Sequence, residues 1–136
     1  MKKIKITESD LYEIIKQVLL EQEEEKKVWY TDAEEFEFRL FKTFDGDSEK
    51  FAKYHNKYYD KIVVDGSLDL RRTQITSLPD NLSVRGSLHL RETPITSLPD
   101  NLVVKGKIFI YGTPLDQNDK LVKKYMAKGY KIDKYS

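Results

Sequence analysis

Cysteine is absent from the 136-residue chain, which excludes disulfides and thiolate metal sites. Histidine occurs only as His55 and His89, which fall in different predicted elements with no evident metal-binding partner. No apolar run approaches the roughly 20 residues of a membrane-spanning helix. The opening Met-Lys-Lys-Ile-Lys-Ile-Thr-Glu turns acidic too early for a secretory signal peptide. A protein working or assembled in a cytosol is expected. There is no glycine-rich phosphate loop and no nucleophile elbow. Asp45, Asp47 and Glu49 have the early spacing of a calcium loop, but Lys50 stands where that loop needs glycine and Asn56 where it needs its last glutamate. The segment reads as a turn and helix cap. No catalytic residue, cofactor, metal or small-molecule substrate is expected, and the chain reads as non-enzymatic.

Charge is plentiful, at 35% of residues, and the net charge is only +1. It is unevenly placed. Residues 8–49 hold 5 bases and 14 acids, a balance of −9, while residues 102–136 hold 8 lysines and 3 aspartates, a balance of +5. An acidic front and a basic tail attract each other, within one chain or between copies, unless both are simply solvated faces. The composition does not resemble that of a nucleic-acid-binding protein. Lys53, Lys57 and Lys61 beside Tyr54, Tyr58 and Tyr59 are the one local exception. Helical spacing assigns Tyr54 and Tyr58 to the core and the lysines to a solvated face.

A repeat dominates the middle of the chain. Residues 66–85 read GSLDLRRTQITSLPDNLSVR, residues 86–105 read GSLHLRETPITSLPDNLVVK, and residues 106–115 begin a third copy. The period is 20 residues, with about 2.5 copies. Leu68, Leu88 and Ile108 share one column and Leu70, Leu90 and Ile110 another, two residues on, which is strand alternation with inward residues. Ile75, Ile95 and Leu115 continue the inner surface. Leu78-Pro79 and Leu98-Pro99 precede the turn residues Asp80-Asn81 and Asp100-Asn101. Ile62/Val64, Leu82/Val84 and Leu102/Val104 form a second inward pair, with Gly66, Gly86 and Gly106 at the bend between pairs. Thr73, Thr93 and Thr113 are placed for a hydrogen-bonded ladder between stacked copies.

The string L-x-L-x-x-T-x-I-x-x-L-P resembles the leucine-rich repeat, especially its short bacterial type, over residues 62–115. Threonine replaces the usual asparagine, and Asp65 and Arg85 stand where an apolar residue is expected, so a flatter β-solenoid is the competing subtype. The expected fold is therefore α+β, a short leucine-rich-repeat-like or β-solenoid coil capped by helices. So short a coil exposes both ends of its core. Its division runs 1–27 for an N-terminal amphipathic arm, 28–61 for a two-helix cap, 62–115 for the coil and 116–136 for a closing helix and short strand. In the arm, Thr7 and Asp10 suit a reciprocal cap, Ile6 and Leu11 a hydrophobic staple, and Leu11, Ile14, Ile15, Val18 and Leu19 form one stripe. That stripe either packs on its own domain or docks on another subunit. In the cap, Trp29 and Tyr30 anchor the start, and Thr31 with Glu34 opens a helix carrying Ala33, Phe36, Leu40, Phe41 and Phe44. A second helix places Phe51, Tyr54, Tyr58 and Ile62 on one side. Asp116 to Asn118 cap the final helix of Leu121, Val122, Tyr125 and Met126, Gly129 closes it, and Tyr130 and Ile132 add a strand.

Outward columns of the repeat are Ser67, Ser87, Lys107, then Asp69, His89, Phe109, then Arg71, Arg91, Tyr111. Aromatic and arginine side chains are enriched where proteins meet, so Asp69, Arg71, His89, Arg91, Phe109 and Tyr111 are the candidate protein-binding residues. Alternatively, the C-terminal helix covers Phe109 and Tyr111. The opening KIKITESDLYEIIKQVLLEQ is similar to a leader found on otherwise unrelated proteins of tailed bacteriophages, and the repeat resembles those of phage and bacterial proteins. That resemblance implies a phage protein whose leader is an address or docking tag. It also implies that Leu19-Leu20-Glu21 fits the apolar-x-Glu motif cut by prohead proteases. The expected role is a virion component of head, neck or tail, found in the host cytoplasm or the virion. Its partners would be other virion subunits or itself, with no nucleic acid and no membrane. A soluble phage protein that blocks a host factor through the strand face is the alternative.

Overall fold

The computed structural model describes residues 7–24 and 27–134, with the side chains of 18–24 outside that description. Among the described residues the protein is mixed α+β, with four α-helices and two parallel four-stranded sheets. Helix α1 (Glu8–Glu24) comes first. Thr7 and Asp10 cap it reciprocally, each side chain accepting from the other's backbone N–H at 3.1 and 3.2 Å. The predicted staple partner Ile6 lies outside the described residues.

Strand β1 (Lys27–Asp32) follows. The cap was expected to be wholly helical, and this strand corrects that. The run Val-Trp-Tyr-Thr has the β-branched and aromatic content that fits a pleated, half-buried surface. Asp32, not Thr31, caps helix α2 (Ala33–Phe38), accepting from the Glu35 N–H at 2.8 Å. Thr31 is instead a buried strand residue. A π-helical turn (Arg39–Thr43) continues α2, so Phe36 and Leu40 are buried and Ala33, Phe41 and Phe44 pack against them. Asp45 and Gly46 adopt positive φ and end it. Asp47 then caps helix α3 (Ser48–Tyr58), accepting from the Lys50 N–H.

A second correction concerns α3. It stops at Tyr58, where strand β2 (Tyr59–Asp65) begins, so Ile62 is a strand residue. The buried side of α3 is Phe51, Ala52 and His55, and Tyr54 and Tyr58 are exposed. Those two rings lie 4.8 Å apart, with the Lys57 Nζ 5.2 Å from the Tyr58 ring.

The remaining strands are short: β3 (Leu68–Asp69), β4 (Leu82–Val84), β5 (Leu88–His89), β6 (Val103–Val104), β7 (Lys107–Phe109) and β8 (Lys131–Asp133). One sheet runs β1-β2-β4-β6 and the other β3-β5-β7-β8. From β2 onward the repeat sets the register. Ile62 faces Leu82, Leu68 faces Leu88 and Leu88 faces Ile108, each pair 20 residues apart. Backbone bonds extend this pairing, from the Leu70 N–H to the His89 carbonyl and from the Arg72 N–H to the Arg91 carbonyl. The inward residues of both sheets join one core with Ile75, Ile95, Leu98 and Leu115. Each fully buried aliphatic side chain contributes about 1.5–3 kcal/mol of transfer free energy.

Three details of the repeat have direct physical causes. Gly86 donates its N–H to the Gly66 carbonyl, and Gly106 to that of Gly86. A Cβ at Gly86 would stand 2.6 Å from the Ser67 nitrogen, a clash with backbone that only glycine avoids. Ser67 and Ser87 form a ladder, their Oγ atoms accepting from the Ser87 and Lys107 N–H groups. The threonines do not, which corrects the expected Thr73, Thr93, Thr113 ladder. Each Oγ1 donates to the carbonyl three residues back in its own copy, those of Leu70, Leu90 and Ile110. The bond closes a turn in which Arg72, Glu92 and Gly112 have positive φ.

Beyond the repeat, a 3-10 turn (Leu115–Gln117) leads to helix α4 (Asp119–Ala127), capped by Asn118 accepting from the Leu121 N–H. Val122 and Tyr125 are buried, and Met126 is exposed. Gly129, at φ 103, closes the helix as expected. The expected final strand is β8, with Ile132 opposite Ile108.

Candidate interaction surface

The outward positions of β3, β5 and β7 are set by strand alternation. With Leu68, Leu88 and Ile108 inward, Asp69, His89 and Phe109 face out in register. Arg71, Arg91 and Tyr111 follow two residues on. The structure brings all six candidate residues onto one face.

Each column has its own internal bonding. His89 and Phe109 stack with centroids 4.5 Å apart and planes at 6°. The Arg91 guanidinium lies 5.4 Å from the Tyr111 centroid, a cation–π contact. Arg71 clamps Asp69 through Nε and Nη2 at 2.9 and 2.8 Å, and this side-chain bond chiefly holds the Asp69 carboxyl below its usual range. Arg72 pairs with Glu92 of the next copy at 2.8 Å. A cleft of about 280 Å³ is lined by Asp69, Arg71, Arg72 and Arg91. The Arg91 Nε is buried without a hydrogen-bond partner, whereas Arg39, Arg71, Arg72 and Arg85 each have a partner. A buried, unsatisfied donor costs about 1–3 kcal/mol.

Helix α4 does not cover this face. Its Tyr125 hydroxyl bonds the Leu98 N–H and carbonyl, and Tyr130 bonds the Leu102 carbonyl. Those contacts hold the C-terminal segment against the 98–102 turn. Tyr111 stays 45% exposed, and Phe109 is half-buried with β8 as its neighbour on one side.

One residue of this surface was missed. Glu37, on α2, lies beside Asp69, and its carboxyl is raised by burial first and then by the Asp69 charge. No periodic signal in the sequence links positions 37 and 69.

The second candidate surface is α1. Leu11, Ile14 and Ile15 are each about half exposed, and every described side chain from residue 7 to residue 17 is exposed. Val18 and Leu19 continue the same stripe but lie outside the described side chains, as does Leu19-Leu20-Glu21, whose backbone is helical. The stripe is thus unburied along its described length.

No family model, curated protein or solved structure matches the chain. Among the described residues, no group of three histidine, aspartate or glutamate side chains is placed to hold a metal, and no helix is long and apolar enough to cross a membrane.

Proposed function

We propose that this chain is a non-enzymatic, protein-binding structural component built on a short leucine-rich-repeat-like coil. On this reading the two parallel sheets are two faces of a solenoid whose ends are closed by α2 and α3 on one side and α4 with β8 on the other. The observation that carries the proposal is the open strand face. Asp69, Arg71, His89, Arg91, Phe109 and Tyr111 lie in two aligned columns, with the Arg91 guanidinium over the Tyr111 ring and Tyr111 half exposed. Arginine and tyrosine in such a setting are the side chains that anchor protein interfaces.

The leader resemblance narrows the partner to subunits of a phage particle, in head, neck or tail, with α1 as a docking arm. Mass spectrometry of purified particles from the source phage tests this. Full-length protein at fixed copy number supports a structural component. A chain beginning at Gln22 makes residues 1–21 a removable tag. Absence from particles, with recovery of one host protein bound to the strand face, replaces this reading with inhibition of a host factor. In either setting Arg91→Glu with Tyr111→Ala should cut binding at least tenfold, because hot-spot residues commonly contribute 2 kcal/mol or more. Unchanged binding would remove the strand face from consideration.

A further inference from the structure

We infer that α1 of one copy docks into a lysine-flanked cleft at the C-terminal end of a second copy, so that the protein associates head to tail. This rests on reading α1 as a docking arm and goes further by naming what receives it.

The arm has the composition of a docking helix. Leu11, Ile14 and Ile15 stand at the i, i+3, i+4 spacing that forms one face, and all three are about half exposed. By the same spacing Glu8 and Asp10 border that face. Over Glu8–Glu24 the helix carries six acids and one lysine, a balance of 1 − 6 = −5.

The receiving site lies at the other end of the chain. Met126, Tyr130 and Ile132 line a cleft of about 590 Å³, together with Lys107, Lys131, Lys134 and one acid, Asp133, so that lysines outnumber carboxylates three to one. That volume is in the range of cavities that take a drug-sized ligand, enough for two or three aliphatic side chains. Its wall includes β8, the last strand of its sheet, and Met126 is 51% exposed. Residues 119–134 carry six lysines and two aspartates, a balance of 6 − 2 = +4. Among the described residues neither Lys107 nor Lys131 has a carboxylate partner, and neither does Glu8 have a basic one. An apolar stripe with acidic borders thus matches an apolar cleft with basic borders. In the chain itself the arm's described side chains are all exposed, and the match of charge and apolar surface is what points to a second copy as the occupant.

The two surfaces are different, so the contact is heterologous and does not close on itself as a two-fold dimer does. Three aliphatic side chains make a small interface, well below the roughly 800 Å² per partner of stable complexes. The association should therefore be weak and weaken further with added salt.

Sedimentation equilibrium of the full chain tests this, at concentrations up to about 1 mM, where contacts of millimolar affinity are visible. The wild type should exceed the monomer mass of 16.0 kDa and keep rising with concentration. Ile14→Glu with Ile15→Glu should be monomeric, and so should Met126→Glu with Lys131→Glu. Mixed in equal amounts, the two variants should form a species that stops at twice the monomer mass, because one still has its cleft and the other its arm. All substituted positions are exposed, and circular dichroism verifies folding. If the arm variant does not fold, Glu8→Lys should weaken association and Lys131→Glu in the other copy should restore it. A monomeric wild type overturns the inference, as does association that survives in the cleft variant, or a mixture or charge reversal without rescue. Retention in phage particles is scored separately, so a monomeric chain that still binds particles refutes the self-docking alone.

Discussion

The repeated segment, residues 62–115, and the segment before it, residues 27–61, are held together in different ways. In the repeat each inward residue packs beside its own counterpart 20 residues along, and the backbone bonds run from copy to copy. Its core is aliphatic: Leu68, Leu70, Ile75, Leu88, Leu90, Ile95 and Ile108 are fully buried. Residues 27–61 instead close over an aromatic cluster with no internal symmetry. Trp29 stacks on Phe36 at 6.0 Å, Phe51 meets Phe36 and Phe44 edge-on, and Arg39 lies 3.8 Å over the Trp29 ring. At its centre His55 is buried, and that burial chiefly lowers its pKa. Its Nδ1–H donates to the Phe51 carbonyl at 2.7 Å, and its Nε2 faces Arg39 at 3.3 Å. A repeat spreads its stabilisation over equivalent contacts, whereas the aromatic cap concentrates it in a few side chains.

That contrast can be broken at several points. The largest effect is expected from Phe36→Ala, which removes a fully buried ring of the aromatic cluster and should cost about 3–5 kcal/mol. Because β1 pairs with β2, which pairs with the repeat, chemical denaturation should still show one transition at a lower midpoint. Two separated transitions would show that cap and repeat unfold independently. Gly86→Ala comes next, at about 2–3 kcal/mol, since its Cβ would meet backbone atoms of Ser67 and Gly66. Gly66→Ala should cost only about 1 kcal/mol, because its φ of 96 is strained for alanine while no atom lies within 4 Å. Equal losses at the two glycines would mean that conformation, not close approach, selects glycine there. Thr93→Val should cost about 1 kcal/mol by removing the buried bond to the Leu90 carbonyl. No loss would leave the turn to backbone geometry alone.

The smallest expected effect is pH dependence in the cap. Burial chiefly lowers the His55 pKa from its ordinary 6.5, so folding favours the neutral ring. This contribution is fully present above about pH 6.5 and is lost as pH falls from there through the folded-state value. Protonating Nε2 would also set a second N–H against the Arg39 donor. Thermal melts from pH 7.5 to 5 should show a decline that His55→Gln reduces, with Glu37, whose raised pKa acts in the opposite sense, unchanged between the two proteins. A decline of equal size in both proteins would place the responsible group elsewhere.

The legibility of the sequence followed the same division. In the repeat a spacing of two gave the strands and a period of 20 gave the register, so the outward columns and their six candidate residues could be placed. The threonines alone misled there, because a hydroxyl can bond its own turn as well as the next copy. In the cap, Val-Trp-Tyr-Thr has the composition of a strand, but the capping residues that follow it point equally to the start of a helix. Tyr54 and Tyr58 fit a helical stripe that the start of β2 at Tyr59 displaces. Local pattern could not show where α3 ends, because that depends on β2 pairing with both β1 and β4.

Local pattern alone fixed the inward columns, the cap at Thr7, the 116–118 region of the final helix's cap and the glycine bends, since each follows from a short spacing or one residue's conformational freedom. Long-range packing settled that Lys27–Asp32 is a strand, that His55 is buried, that Glu37 lies beside Asp69 and that Tyr111 stays exposed. Each of those depends on which distant segments meet, and the energy of such a meeting belongs to the pair and is written in neither segment alone.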